Sequence, residues 1–340
     1  MGAQIAVPAT LRNSALLGLG VHRPDRVVTN AEICEQIDSS DEWIQSRSGI
    51  KERRFAKAHP EETIVDMSVD AASKALDAAG LSGPQIDTVI IATSTYGFQT
   101  PQAAALVADR LGTGGAAALD IQAGCAGFCY ALGVASDLVR AGTAEKVLVV
   151  GVERMSDATE PTDRSVRFIF GDGAGAVVVG ASDEVGVGPT VWGSDGSQGN
   201  AIRQEPDWVD FAQNPQQKRP WIIMEGTAVF RWAAFEMSKY ARQIADKSGV
   251  ALADLDAFVP HQANLRINDV IVKQLELPES VQVADDIIET GNTSAASIPL
   301  AMEKMLRTGQ VEAGSTALLL AFGAGLSYAG QIVKMPPLAQ

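Results

Sequence analysis

The sequence predicts an α/β fold made of two similar halves, and two observations support this prediction. Short apolar runs rich in β-branched residues recur along the chain and alternate with amphipathic helical stretches. Apolar strands without a polar face are typical of a sheet that helices cover on both sides. In addition, one strand–helix–strand pattern occurs twice in the same order. A duplicated α/β unit of this kind has halves of about 170 residues.

The strand signal is clearest in runs bounded by charged or glycine-rich segments. These runs are residues 88–93, 147–151, 176–180, 256–260 and 317–322. Helical periodicity is seen in residues 66–79 and 234–247, which precede the first and fourth runs. We therefore expect strands and helices to alternate through most of the chain.

The internal repeat consists of two aligned pairs of segments. Residues 80–91 align without a gap with residues 249–260, and residues 125–142 align with residues 292–309. Any two strand–helix–strand units look somewhat alike, but similar spacing over two consecutive units favours duplication. In this alignment Cys125 and Asn292 correspond, each at or just before the start of a helix. If the halves pack about a pseudo-twofold axis, these two helix starts face each other across one site.

Composition and charge narrow the classes of function. The chain has 340 residues, 46% of them apolar, and a formal net charge of −14. This apolar fraction excludes intrinsic disorder, and the acidic balance argues against a nucleic-acid partner. Residues 313–333 lack charge but contain several polar residues and glycines, so we expect two buried strands joined at a glycine turn rather than a membrane span. With no secretory signal visible, we expect a cytoplasmic protein that does not bind a membrane.

Cys125 is the first candidate for chemistry. A strand-like run at residues 117–121 leads through small residues into a helix with an apolar stripe. A cysteine at a helix N-terminus feels the positive end of the helix dipole, which favours the nucleophilic thiolate. The alternative is a small buried core cysteine, which is our interpretation of Cys129, while Cys34 has no visible partner. The three cysteines and three histidines show no paired spacing, so neither a disulfide framework nor a metal site is expected.

His261 and Asn292 are the next candidates. His261 ends an apolar strand, where α/β proteins place functional groups. Asn292 precedes a helix whose start is limited by Pro299, since proline is tolerated only in the first turn. Each residue alone also fits a structural histidine or a capping asparagine. Together with Cys125 they provide a nucleophile and two neutral hydrogen-bond donors, which suits acyl transfer through a thioester.

The glycine-rich run at residues 170–180 resembles a phosphate-binding loop only superficially. It lacks the lysine of a P-loop and does not open a helix. We expect its glycines to form a turn into the buried strand at 176–180. The similar run at 322–330 follows the duplicated strand, so we expect it near the site.

The motifs around these residues resemble one known family. AGCAGF around Cys125, VPHQANLRI around His261 and GNTSAASIP around Asn292 are similar to β-ketoacyl-acyl-carrier-protein synthase III, of the thiolase-like superfamily. Residues 39–54 and 161–176 agree with the same family, and the sequence as a whole is most similar to actinobacterial, mycobacterial-type enzymes.

The resemblance implies a thiolase-like, five-layered αβαβα fold with an N-terminal half at residues 1–185 and a C-terminal half at 186–340. It implies a homodimer and no cofactor, with acyl-CoA as a substrate. The implied reaction is a decarboxylating condensation of an acyl-CoA primer with malonyl-acyl-carrier protein, which starts type II fatty acid synthesis and in some relatives feeds mycolic acid synthesis.

The implied roles attach to matching positions. Cys125 matches the nucleophile, and His261 and Asn292 match the pair that stabilises the malonyl enolate. The backbone N–H groups of Cys125 and Ala324 match the oxyanion hole, although many relatives have glycine in place of Ala324. Thr100 stands where short-chain enzymes have a phenylalanine that closes the acyl pocket from the neighbouring subunit, so a medium- to long-chain primer is expected.

Binding residues also follow from the resemblance. The implied CoA contacts are Trp43, Arg47, Arg164, Gly226, Phe230 and Asn264. The implied docking surface for the acidic carrier protein consists of Arg231, Arg266 and Lys273.

Three other functions remain open at this point. A starter-unit ketosynthase III of secondary metabolism has the same catalytic residues. A non-catalytic thiolase-like subunit is disfavoured by the intact Cys125, His261 and Asn292. A thioesterase-like hydrolase is disfavoured because no general base is evident beyond His261.

Overall fold

The computed structural model describes residues 11–339, and within them the chain forms two large mixed sheets with helices on both faces of each. The strands of this part of the chain are β1 (Asn13–His22), β2 (Arg26–Thr29), β3 (Glu52–Phe55), β4 (Thr88–Ala92), β5 (Ala117–Ile121), β6 (Lys146–Arg154), β7 (Asp172–Ser182), β8 (Val191–Ser194), β9 (Ile202–Glu205), β10 (Trp221–Met224), β11 (Ala257–Pro260), β12 (Gln282–Val283), β13 (Thr316–Gly323) and β14 (Ser327–Lys334). The α-helices are α1 (Asn30–Cys34), α2 (Asp41–Ser48), α3 (Ile64–Ala79), α4 (Ala103–Arg110), α5 (Gly127–Arg140), α6 (Met155–Ala158), α7 (Trp208–Gln213), α8 (Gly226–Ser248), α9 (Leu265–Leu275), α10 (Ile287–Thr290) and α11 (Ser297–Arg307).

The two large sheets have the same topology. The first has the strand order β1-β7-β6-β4-β5, and the second, read from its other edge, has the order β8-β14-β13-β11-β12. In both sheets, the three strands at one edge are parallel to one another. Each of the two remaining strands pairs antiparallel with its neighbours. The predicted duplication is therefore confirmed at the level of strand order and direction.

Side-chain alternation along the strands places helices on both sides of each sheet. Ile90 of β4 faces a core shared with α5 and α11, whereas its neighbours Val89 and Ile91 face a core formed with α3 and α4. The shared core also contains Val259 and Leu319 of the second sheet, so α5 and α11 form the middle layer. The outer face of the second sheet packs on α8 and α9. These layers give the five-layered αβαβα arrangement that the resemblance implies.

The two middle helices match at their C-terminal ends, as the repeat predicts. α5 and α11 are followed by glycines with left-handed backbones, Gly142 with φ 74° and Gly309 with φ 72°. However, α5 has 14 residues and α11 has 11, so the correspondence shifts by three residues at the N-terminal ends.

This shift corrects the pairing of Cys125 with Asn292. A 3-10 turn precedes each helix, Gly124–Ala126 in the first half and Ser294–Ala296 in the second. By these turns Cys125 corresponds to Ala295, and Asn292 lies in the loop two residues before the second turn. The ungapped alignment failed here because a helix can lose a turn without changing the sheets that it connects.

The predicted strands are confirmed, and β6 and β7 are each at least four residues longer than expected. β7 begins at Asp172, so Gly173 and Gly175 belong to the strand instead of a turn that leads into it. A Cβ atom at Gly175 would lie 2.6 Å from the side chain of Pro299 in α11. These glycines let the central helix approach the sheet closely, and nothing at the run resembles a phosphate cradle.

The predicted boundary between residues 185 and 186 lies between β7 and β8, the last strand of one large sheet and the first strand of the other. No helix among residues 11–339 is long and apolar enough to cross a bilayer. The uncharged segment 313–333 folds largely as β13 and β14, which pair antiparallel as predicted.

Candidate active site

One cavity of about 480 Å³ lies where the two middle helices begin. Its walls come from both halves of the chain, and Cys125, His261 and Asn292 all line it. The cavity therefore brings together the three residues that the sequence singled out. Segments outside the large sheets complete its mouth, including residues of α2 and of the β9–β10 hairpin.

Cys125 lies in the turn Gly124–Ala126, and the β13–β14 turn covers this segment tightly. A Cβ atom at Gly323 would lie 3.0 Å from the Cys125 sulfur and 2.7 Å from its Cβ. A Cβ atom at Gly124 would lie 3.0 Å from the Cβ of Ala324. The backbone N–H groups of Cys125 and Ala324 favour the charged form of the sulfur. Ala324 is thus compatible with the backbone donor that the resemblance assigns to this position.

The surroundings of Cys125 oppose the thiolate that the dipole of the helix favours. Burial and, to a smaller extent, the nearby Glu153 carboxyl raise the pKa of the Cys125 thiol to about 11. The polar groups of Ser294 and of the Cys125 and Ala324 backbone lower the pKa of the thiol, but they only partly offset this effect. The resting thiol is protonated at neutral pH. Cys129, one turn along α5, is buried in the core as predicted.

His261 directly follows β11 and is almost fully buried. Its backbone N–H donates to the Leu320 carbonyl, and its Nδ1 lies 2.7 Å from the Oγ of Ser297. Burial lowers the pKa of His261 to about 3, so the imidazole is neutral at physiological pH. The ring contacts Phe322 edge to face, with centroids 5.3 Å apart. This environment suits a neutral hydrogen-bond donor rather than a cation.

Asn292 is held by its backbone and by its side-chain oxygen. Its N–H donates to the Ile169 carbonyl at 2.8 Å, and its carbonyl accepts from the N–H of Gly171 at 3.0 Å. The Oδ1 atom accepts from the N–H of Ser294 at 2.8 Å. Because Oδ1 is occupied in this way, the Nδ2 group is the part of the amide left to donate into the cavity.

Sequence reasoning missed the residues that surround the three catalytic candidates. Ser294 and Phe322 line the cavity, while Ser297 and Glu153 contact residues that do. Ser294 and Ser297 lie within the GNTSAAS segment, so their place in the motif was a usable signal. Glu153 comes close to the cavity-lining Ser294 only through the tertiary fold, and nothing in the local sequence marks it.

The predicted CoA residues gather at the mouth of the cavity. Trp43, Arg47, Gly226, Phe230 and Asn264 line it. Arg164 does not line the cavity but stacks on Trp43, with its guanidinium carbon 4.8 Å from the ring centroid. Asn264 caps α9 and also donates to the Arg47 carbonyl at 3.0 Å, so in this structure it joins α9 to α2.

The predicted docking residues and Thr100 lie outside the catalytic part of the cavity. Arg231 on α8 and Arg266 and Lys273 on α9 are exposed, on two helices that pack against each other. Arg266 also lines the cavity mouth and approaches the Phe230 ring at 5.7 Å. Thr100 is exposed between β4 and α4, away from the residues that line the cavity in a single chain.

Within residues 11–339, no three His, Cys, Asp or Glu side chains lie close enough together to bind a metal ion. The cavity instead offers a thiol, neutral side-chain donors and inward backbone N–H groups, enclosed by apolar walls. Such a set stabilises a negative charge that develops on oxygen, which is what acyl transfer requires.

Comparison with known proteins agrees with this chemistry. A family described as 3-oxoacyl-[acyl-carrier-protein (ACP)] synthase III matches residues 119–196, and the family of its C-terminal part matches residues 245–335. The chain is similar to the β-ketoacyl-[acyl-carrier-protein] synthase III of Mycobacteroides abscessus, with 56% identity over 98% of each chain. It is also similar to the enzyme of that name from Streptomyces glaucescens, with 56% identity over 94% of this chain and 96% of the relative.

Solved structures show the same fold. The priming β-ketosynthase of the R1128 polyketide pathway superposes with a TM-score of 0.96 at 46% identity, covering 99% of this chain and all of the other. The 3-oxoacyl-[acyl-carrier-protein] synthase III of Aquifex aeolicus superposes with a TM-score of 0.87 at 38% identity, covering 95% of this chain and 100% of the other.

Proposed function

The chain belongs to the 3-oxoacyl-[acyl-carrier-protein] synthase III family, and on this premise we propose that Cys125, His261 and Asn292 perform its reaction. The protein is a β-ketoacyl-[acyl-carrier-protein] synthase III, a condensing enzyme of the acyltransferase type. The observation that supports the residue roles best is that all three side chains line one cavity between the two halves.

In the first half-reaction the Cys125 sulfur attacks the carbonyl carbon of an acyl-CoA. The developing oxyanion lies against the backbone N–H groups of Cys125 and Ala324, which already favour negative charge on the sulfur. The C–S bond to CoA then breaks, and the acyl group stays on Cys125 as a thioester.

In the second half-reaction malonyl-acyl-carrier protein enters the same cavity and loses CO₂. The thioester oxygen gains negative charge as the enolate forms, and His261 and Asn292 donate hydrogen bonds to it. The enolate carbon attacks the acyl thioester, and the Cys125 sulfur leaves. A neutral His261 fits this role, since a neutral ring donates without being consumed as an acid.

The cavity mouth provides the binding surfaces. Trp43, with Arg164 stacked on it, offers an aromatic face to the CoA adenine, and Arg47 lies beside the same ring for a phosphate. Arg231, Arg266 and Lys273 offer positive charge to the acidic carrier protein. We propose that the two half-reactions need no cofactor. We also propose that the enzyme is a cytoplasmic homodimer.

A second candidate is a priming ketosynthase of secondary metabolism. The TM-score of 0.96 to the R1128 priming β-ketosynthase favours it. Both candidates use the same residues, so only the identity of the primer and of the carrier protein separates them.

The test is incubation with acyl-CoAs of graded length and malonyl-acyl-carrier protein, followed by mass analysis of the products. We expect Cys125→Ala to abolish acylation, and His261→Ala and Asn292→Ala to lower condensation about 100- to 1000-fold while largely sparing acylation. Cys129→Ala is the matched control and should acylate normally. Full condensation activity in Cys125→Ala would refute the assignment.

A further inference from the structure

Glu153, at the end of β6, is a buried carboxyl for which the described residues provide hydrogen bonds but no salt bridge. Its side chain is 0% exposed. It accepts from the Thr95 hydroxyl at 2.6 Å, from the Ser94 N–H at 3.0 and 3.1 Å and, more weakly, from the Thr93 hydroxyl at 3.3 Å. Burying a carboxylate without a cation is costly, and such groups are concentrated at functional sites.

One further donor connects Glu153 to the catalytic cavity. The Ser294 hydroxyl donates to Glu153 Oε1 at 3.1 Å, and Ser294 and Cys125 line the same cavity. Ser294 therefore lies between the nucleophile and a carboxyl that does not reach the cavity itself.

The backbone of Ser294 supports a role for its side chain. Ser294 has φ 50°, and its counterpart Gly124 has φ 53°. Glycine adopts this left-handed conformation without strain, whereas an L-residue incurs a cost. The second half nevertheless has a serine here, so its hydroxyl is a feature that the local backbone does not require.

We infer that Ser294 and Glu153 form the path by which Cys125 loses its proton during acylation. The inference rests on the proposed function of Cys125. As the sulfur bonds to the acyl carbon, the thiol proton passes to Ser294 Oγ, and the Ser294 hydroxyl proton passes to Glu153. The CoA thiolate leaves and is protonated by solvent. When condensation releases the Cys125 thiolate, the proton returns from Glu153 through Ser294. The enzyme thus ends the cycle in its starting protonation state, and the one proton consumed is the one that CoA takes from solvent.

The electrostatics of the pair fit this exchange. Burial raises the pKa of Glu153 to about 7, and a base with a pKa near the working pH is the most effective. Other charged groups nearby face elsewhere. Arg154 donates to Asp157, Asp172 of β7 accepts from Ser156, and His261 is bonded to Ser297. Cys125 is thus the ionisable group that Glu153 faces through Ser294.

The test measures single-turnover acylation of Cys125 by acyl-CoA from pH 5.5 to 9. We expect the wild-type rate to rise with a midpoint near pH 7, as Glu153 loses its proton. Glu153→Gln should lower the rate about 100-fold at pH 7.5 and abolish that rise, because general base catalysis contributes about 100- to 10,000-fold. Glu153→Asp, which keeps a carboxyl, should acylate at least about tenfold faster than Glu153→Gln.

Two further variants separate this role from a structural one. Ser294→Gly removes the hydroxyl, keeps the backbone N–H that holds Asn292 and suits the left-handed backbone, so it should fold and lose about 100-fold in acylation. Asp172→Asn removes another fully buried carboxyl that does not face Cys125, and it should keep the wild-type pH profile.

The outcomes are distinct. If Glu153→Gln does not fold, the acylation rate of Ser294→Gly tests the proton path by itself, and a rate within about threefold of wild type refutes the path. If both variants acylate within about threefold of wild type with an unchanged pH profile, the proton path is refuted while the proposed function stands. If wild type itself does not acylate at Cys125, the proposed function fails, and this inference fails with it.

Discussion

The Oγ of Ser297 lies 2.7 Å from the Nδ1 of His261, and both side chains are buried. The Ser297 oxygen is also 3.4 Å from the N–H of Gln262, which donates to it. When the serine hydroxyl donates to Nδ1, the ring proton of a neutral imidazole lies on Nε2. We propose that Ser297, at the start of α11, orients the His261 ring and fixes Nε2 as its donor.

Ser297→Ala is expected to lower the condensation rate about tenfold and to leave Cys125 acylation nearly unchanged. Without the hydroxyl, the ring is free to adopt the other tautomer or to rotate, and Nε2 is no longer fixed as a donor. Single-turnover rates of the two half-reactions provide the measurement. Ser136→Ala is the control, since it removes a buried hydroxyl bonded to Ser14, away from the cavity. Equal losses in both half-reactions would contradict this role.

Thr100→Phe is expected to shift primer preference toward acetyl-CoA. A phenyl group in place of the small threonine side chain would shorten the acyl channel of the neighbouring subunit in a dimer. The ratio of kcat/KM for lauroyl-CoA to that for acetyl-CoA should fall about tenfold or more, since a filled pocket excludes several methylenes. Thr100→Val, which has nearly the same volume, should keep the wild-type ratio. An unchanged ratio in the phenylalanine variant would contradict the prediction.

Arg164→Ala is expected to raise KM for acyl-CoA while kcat changes little. The guanidinium lies 4.8 Å from the Trp43 ring centroid and holds that ring at the cavity mouth. A cation–π contact of about 1 kcal/mol corresponds to about a fivefold rise in KM. Steady-state kinetics with a saturating second substrate check this, with Arg12→Ala as a control because Arg12 pairs with the distant Glu145. A loss confined to kcat would argue against a binding role.

Glu153→Gln is expected to gain stability relative to wild type as the pH rises. The folded protein holds the pKa of Glu153 near 7, above its ordinary value of 4.5, so folding becomes less favourable as pH rises through this interval. Between pH 5 and pH 8 the difference in unfolding free energy should move by about 2 to 3 kcal/mol in favour of the variant. His261, whose lowered pKa has the opposite effect, is present in both proteins and cancels in this comparison. Urea unfolding at the two pH values measures the shift, and a constant difference would contradict it.

Periodicity and the internal repeat were sufficient to predict the duplicated α/β fold. β4 and β5 lie where the apolar runs placed them, and α3 follows its predicted stripe. The alignment of Cys125 with Asn292 was wrong, because a sequence repeat without gaps does not register a helix shortened by three residues. The glycines of β7 were assigned to a turn because only the tertiary structure shows that Pro299 packs against them.

The three candidate catalytic residues, which line one cavity, could be selected from the sequence because of their local settings. Cys125 lies among small residues, and His261 ends an apolar strand. The protonation state of the thiol could not be predicted this way. The dipole of a short turn acts locally, but the pKa of Cys125 depends on desolvation by both halves and on Glu153. Long-range burial of this kind leaves no pattern in the neighbouring sequence.

The shared cavity between the halves has a consequence for how the enzyme is made. A ribosome produces Cys125 long before Gly323 and Ala324, the residues that cover its sulfur and complete the backbone donors. During synthesis Cys125 therefore lacks the Ala324 N–H and the burial that raises the pKa of its thiol. The surroundings of Cys125 are therefore complete only when β13 and β14 lie against the first half of the chain.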